Sequence, residues 1–154
     1  MSNDYIIDKY WMEIAINEAI KAEEIGEIPV GAVLVMDNKM IASSFNSSIK
    51  DNDPSAHAEI NVIRLASQRN KNYRLKGACL YVTLEPCAMC YGAIIHSRID
   101  RLVFGAFDSK TGVCGSCINL RDFKCFNHKP EIIGGILNKE CSDLLKRFFV
   151  VRRA

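Results

Sequence analysis

Ala78-Cys79-Leu80-Tyr81-Val82-Thr83-Leu84, running directly into Glu85-Pro86-Cys87-Ala88-Met89-Cys90, decides how this chain folds. The first seven residues carry no charge and have the length of a strand buried on both faces. Pro86 suits the opening turn of a helix, which the pattern predicts from Cys87 to about Ser97. Arg101–Ala106 follows as a second buried strand.

Upstream, Ser55 is placed to cap a helix from Ala56 to about Ser67, with Ile60, Ile63 and Ala66 along one side. Val30–Met36 is apolar, Asp37-Asn38-Lys39 turns the chain, and Met40-Ile41-Ala42 completes a predicted hairpin. Asp8–Ile25 reads as an amphipathic helix, with Met12, Ala15, Ile16, Ala19 and Ala22 at helical spacing and Gly26 and Pro29 closing it. Ser43–Pro54 and Asp108–Pro130 read as loops, the second long enough to be functional or to hold short helices. Glu131–Ile133 is a further strand, and Asn138 caps a last helix through Arg152 with Cys141, Leu144, Leu145, Phe148 and Val151 as its stripe. Helices alternating with buried strands imply an α/β fold with the sheet covered on both faces.

The bulk properties are consistent with this. The chain has 154 residues, 49% hydrophobic and 25% charged, which suits one folded domain over 1–154 and argues against disorder. No apolar run reaches the roughly 20 residues of a membrane span, and the N-terminus carries acid where a secretory signal would carry base. The expectation is a soluble, cytoplasmic protein with no membrane partner. Seven cysteines, an odd count without a secretion signal, favour reduced thiols over a disulfide framework. The net charge of +2 hides an asymmetry: residues 1–30 hold seven acids against two lysines, while Lys146, Arg147, Arg152 and Arg153 concentrate base at the other end. Such a basic end serves either as a phosphate footprint or as a solvated helix face.

The chemistry is carried by His57-Ala58-Glu59 together with Cys87 and Cys90. Cys87 and Cys90 stand three apart at a helix start, so both thiols share a face near the positive end of the helix dipole, which favours thiolates. His57, at the start of the preceding helix, supplies a neutral third ligand. One imidazole and two thiolates describe a catalytic Zn²⁺ site with its fourth position open to water. Glu59, not needed as a ligand, is then the proton carrier. A lone CxxC is common in redox proteins and a lone His is commonly core. The conjunction is far more specific, and one zinc per subunit is the expected cofactor. Cys114 and Cys117 repeat the CxxC spacing without a matching His.

The H-x-E and P-C-x-x-C pair resembles the zinc-dependent cytidine deaminase superfamily. Val30-Gly31-Ala32-Val33, Asp53-Pro54-Ser55-Ala56-His57-Ala58-Glu59-Ile60, Asn72-Tyr73-Arg74-Leu75, Leu80–Cys87, Ile95–Ile99, Val103–Ala106 and Lys110-Thr111-Gly112 are similar to the bacterial tRNA-specific adenosine deaminase family. So are Asn127-His128, Phe148-Phe149 and Arg152-Arg153, and the likeness runs from Tyr10 to Arg153. The resemblance implies a cytidine deaminase-like three-layer α/β/α fold with a central mixed sheet of about five strands. It implies hydrolytic deamination of adenosine to inosine at the wobble position of a tRNA anticodon stem-loop, by zinc-activated water with Glu59 as proton shuttle. It places Asn46, Leu84, Asp108, Lys110, Asn127 and Phe149 at the substrate, with the main chain of Ala58 and Cys87 steadying the tetrahedral intermediate. It also implies a homodimer, for which the face around Met89, Ala93 and Ile94 offers a contact if it is not core.

Read without the resemblance, Asn46 and Asp108 equally suit turns, Lys110 a solvated charge, and Leu84 and Phe149 the core. Cys114, Cys117 and Cys125 depart from the family pattern. Two rival functions stand beside the first: deamination of a free base or nucleoside, and a zinc-stabilised RNA-binding module without catalysis.

Overall fold

A computed structural model describes residues 2–153. In chain order the elements are α1 (Asn3–Glu24), β1 (Gly31–Met36), β2 (Lys39–Phe45), α2 (Ala58–Asn70), β3 (Cys79–Leu84), α3 (Ala88–His96), β4 (Arg101–Ala106), a 3₁₀ turn (Leu120–Asp122), β5 (Glu131–Gly134) and α4 (Asn138–Arg153). The sheet runs β2-β1-β3-β4-β5. β1 lies antiparallel to both β2 and β3, whereas β3, β4 and β5 are parallel. The mixed five-stranded sheet that the family resemblance implies is therefore present.

Strand alternation sorts the core into two layers. Ala32, Leu34, Leu80, Val82, Leu102 and Phe104 face α2 and α3, meeting Ala58, Val62, Ala66 and Ile94. Val33, Val35, Tyr81 and Val103 face the other way, onto Trp11, Met12 and Ala15 of α1 and Cys141 of α4. Parallel β3 and β4 are buried on both sides, which is why both read as continuous apolar runs.

Several boundaries differ from the sequence reading. α1 begins at Asn3, not Asp8, because the Ser2 hydroxyl accepts from the Tyr5 N–H at 3.3 Å. The extra turn was hidden because Tyr5, Ile6 and Ile7 are exposed and follow no buried face. β2 continues to Phe45 through Ser43 and Ser44, which pair with Val33 and Ala32. Ser43 can sit there because its hydroxyl donates to Glu18 at 3.1 Å. Ser55 does not cap α2: its N–H and hydroxyl both donate to Asp53 Oδ1, and the N-cap is His57. Ile94, offered as a contact surface, is core, whereas Met89 is exposed. Among the described residues no helix is long and apolar enough to cross a membrane.

Candidate metal centre and its cavity

Two helix starts meet beside the carboxyl end of β3. His57 is the N-cap of α2 and Cys87 the N-cap of α3, both in extended conformation and neither making a side-chain capping bond. Each side chain is thus turned away from its own helix and toward the other. His57 Nδ1 lies 3.7 Å from Cys87 Sγ and 3.5 Å from Cys90 Sγ, and the three donor atoms all fall within 4.8 Å of one another. Tetrahedral zinc with nitrogen at about 2.0 Å and sulfur at about 2.3 Å sets N···S edges of about 3.5 Å. The donor set fits zinc in identity and in size, and offers three ligands, which leaves one corner free.

The charges at this junction are mutually supporting. The Cys87 thiol is lowered to about 4, by the Cys90 side chain first, then by His57 and the Cys90 main chain. His57 is raised by its bond to Cys87. Glu59, in the first turn of α2 and 4% exposed, is raised to about 7 because burial penalises its charge; the Cys87 charge adds to this, while its own N–H and His57 oppose it. A carboxyl near neutrality beside a metal corner can take and return a proton at working pH.

A cavity of about 770 Å³ opens over this junction. Glu59, His57 and Cys87 form its floor with Leu84; Ile28, Val30 and Asn46 line one side. Phe107 to Thr111 line the opposite side, and Leu145, Lys146 and Phe149 of α4 close it. Of the residues singled out in the sequence, His57, Glu59, Cys87, Asn46, Leu84, Asp108, Lys110 and Phe149 come together here, and Cys90 joins through the metal cluster. Ala58, the first residue of α2, is buried in the core layer and does not line the cavity. Asn127 is not brought in: its Oδ1 accepts from Arg98 at 2.9 Å, away from the cavity wall. Asp108 combines its two readings, since it lines the cavity while its carboxylate holds a turn through Lys110 N–H, Thr111 N–H and the Thr111 hydroxyl.

Two buried carboxylates that the motifs did not flag shape the walls. Glu85, 2% exposed, accepts from the N–H groups of Asp108, Cys114 and Ser116 at 3.1, 2.9 and 3.2 Å and from the Ser116 hydroxyl. Gly112 passes so close that a Cβ there would collide with the Glu85 carboxyl carbon. Glu27 does the same for the opposite wall, accepting from Asn46, Ile49 and Lys50. The one sequence signal for each was an acid set within an otherwise apolar stretch.

Residues 6–106 match the profile of the cytidine and deoxycytidylate deaminase zinc-binding region. Over 95% of its length the chain is 52% identical to the tRNA-specific adenosine deaminase of Haemophilus influenzae, covering 85% of that protein. To the enzyme of the same name from Bacillus subtilis it is 48% identical, over 92% of this chain and 88% of the other. A solved structure from work on A-to-I editing by tRNA deaminases at the wobble position superposes with a TM-score of 0.86 at 45% identity, covering 88% of this chain and 99% of that one. A guanine deaminase from Nitrosomonas europaea, at 20% identity and a TM-score of 0.68, shares the fold.

Proposed function

This chain belongs to the zinc-binding cytidine and deoxycytidylate deaminase family and, within it, to the tRNA-specific adenosine deaminases; from that premise we propose that it hydrolyses adenosine to inosine at the wobble position of a tRNA anticodon stem-loop. The observation that carries the reading is Glu59, buried and unused as a ligand, beside three donors spaced for zinc.

His57, Cys87 and Cys90 would hold zinc, whose Lewis acidity would make water a nucleophile at neutral pH. Glu59 accepts the proton that water loses on adding to C6 of the base and returns it to ring nitrogen N1. It then carries the second proton to the C6 amine, which departs as ammonia and leaves a carbonyl oxygen at C6. The N–H groups of Ala58, the first residue of α2, and of Cys87, the N-cap of α3, have no partner within their own helices, and we assign them to the oxygen of the tetrahedral intermediate. Asn46 and Leu84 bound the base, and Phe149 stacks against it or a neighbouring nucleotide. Lys110, exposed on the rim, and Lys146 meet backbone phosphates, with Asp108 shaping the loop between them. Asn127, held by Arg98 outside the cavity, contacts RNA only if the strand extends beyond it.

The protein works in the cytoplasm under this reading, where its RNA substrate is. We also infer a homodimer, supported by Met89 of α3, which is exposed although apolar. The deciding assay offers purified zinc-loaded protein an anticodon stem-loop with wobble adenosine, in parallel with free adenosine, cytidine and guanine. Inosine should form in the stem-loop. Turnover of a free nucleoside or base, with the stem-loop untouched, would replace this reading by the small-molecule one.

A further inference from the structure

Glu27 is 1% exposed, and its three partners are all amide groups. Its place is set by the end of α1: Gly26 turns the chain at φ +80°, and the Glu27 N–H donates to Ala22 O at 2.9 Å. One carboxylate oxygen, Oε1, accepts from the main-chain N–H groups of Ile49 and Lys50 at 2.8 and 2.9 Å. The other, Oε2, accepts from Asn46 Nδ2 at 3.2 Å.

A carboxylate accepts and does not donate, so the nitrogen of the Asn46 amide, and not its oxygen, must face Glu27. Among the described residues no group donates to Asn46 Oδ1, and the one sealed side-chain polar atom without a partner is the Tyr91 hydroxyl. Oδ1 is therefore neither paired nor enclosed, and Asn46 lines the cavity.

We propose that Glu27 is a positioning residue that locks the Asn46 amide with its carbonyl oxygen toward the substrate, so that this wall selects a nucleotide presenting a hydroxyl donor, which in adenosine is a ribose hydroxyl because the ring nitrogens only accept and the amine is the group that leaves. The proposal rests on the nucleotide-deaminating reading of the cavity.

The geometry dictates what an isosteric change would do. In Glu27→Gln the new carbonyl stays with the two main-chain N–H groups, since they fix Oε1 and only an acceptor satisfies both. The new NH₂ then faces Asn46, whose amide must turn over and present nitrogen to the cavity. In Asn46→Asp two carboxylates abut, which is unfavourable. In the double variant Glu27→Gln/Asn46→Asp the new NH₂ meets one oxygen of the introduced carboxylate, and the other oxygen of that carboxylate again faces the substrate.

The test uses zinc-loaded full-length protein, the wobble-adenosine stem-loop and the four chains of this cycle. Glu27→Gln should lose about tenfold in kcat/KM, mostly as a higher KM, because one neutral hydrogen bond held in both ground and transition states is lost. Asn46→Asp should lose at least as much, and the double variant should exceed both single variants. A Glu27→Gln variant within twofold of wild type, or losses in the double variant that multiply, would overturn the proposal. A second readout needs no turnover. The Asn46 side-chain amide pair in a ¹⁵N correlation spectrum, identified by its loss in Asn46→Asp, should shift in Glu27→Gln while other side-chain amides stay in place. If wild type makes no inosine, the functional reading falls alone, and an unmoved Asn46 resonance would still sink the positioning role.

Discussion

Arg101 at the start of β4 grips both carboxylate oxygens of Asp8 in α1, at 2.6 and 2.7 Å, across 93 residues of chain. Tyr81 donates to the same Asp8 Oδ1 at 2.9 Å, and the Asp8 side chain is 3% exposed. This buried cluster ties the first helix to two central strands on the face opposite α2 and α3. Asp8→Ala strands a guanidinium and a phenol together, and should cost about 3 kcal/mol. Urea unfolding should show the loss, while zinc content, set elsewhere, should stay at the wild-type level.

Glu59 carries a different expectation. Glu59→Ala should keep zinc and fold yet lose deamination by about a thousandfold or more, in line with removal of a general acid–base group. The metal-free protein then reveals the burial cost directly. Its Glu59 titrates near 7 when folded against 4.5 as a free side chain, so the folded state holds this proton more tightly. The resulting stability is complete below about 4.5 and fades as pH rises through about 7, a span worth about 3 kcal/mol. Chelated Glu59→Gln should therefore match chelated wild type near pH 4 and exceed it in melting temperature at pH 8. Parallel curves at both pH values would contradict this.

The thiols should differ sharply in reactivity once metal is stripped. Cys87, lowered to about 4, is a thiolate at pH 6, whereas burial pushes Cys141 up to about 12 and raises Cys79 as well. Brief iodoacetamide treatment at pH 6 should alkylate Cys87 first in the chelated protein and spare it when zinc is bound. Peptide mass mapping reads the outcome. Cys87 left unmodified after chelation would mean that the thiol is not activated.

Gly112 passes against Glu85 with no room for a methyl group, its Cβ position also lying 2.5 Å from Asp108 O. Gly112→Ala should displace the loop that carries Asp108, Ser109, Lys110 and Thr111, costing about 1–3 kcal/mol by overpacking. Because that loop forms a cavity wall, KM for the stem-loop should rise while bound zinc stays constant. Unchanged KM with lowered stability would limit Glu85 to a purely structural part.

The cavity floor was legible from the sequence because a three-donor metal cluster demands particular residue types at particular spacings. His57, Glu59, Cys87 and Cys90 are local to two helix starts, and the uncharged run of β3 fixed how those starts meet. What escaped were groups whose meaning is purely spatial. Glu27 lies 19 residues from Asn46 and Glu85 lies 31 from Ser116, and no periodicity links either pair. Ser55 misled for a related reason: it resembles a cap, but Asp53 takes both its donors and His57 occupies the cap position. The Ser-rich end of β2 read as loop since the Glu18 oxygen that satisfies Ser43 comes from another helix.

Gly31, in β1, sits under α1 at a spacing where an added Cβ would collide with Ala15 O and lie 2.5 Å from Ala19 N. At this one position helix and strand therefore touch main chain to main chain, whereas further along β1 the side chains of Val33 and Val35 lie between them. A cushioned contact can absorb a swap of one apolar residue for another by repacking, but this one has nothing that can yield. Any side chain here would lift the helix whose far end delivers Glu27 to the cavity wall. Mutational drift along this lineage is thus barred at a position that touches neither metal nor base, and a survey of tolerated substitutions should find it as intolerant as the ligands themselves.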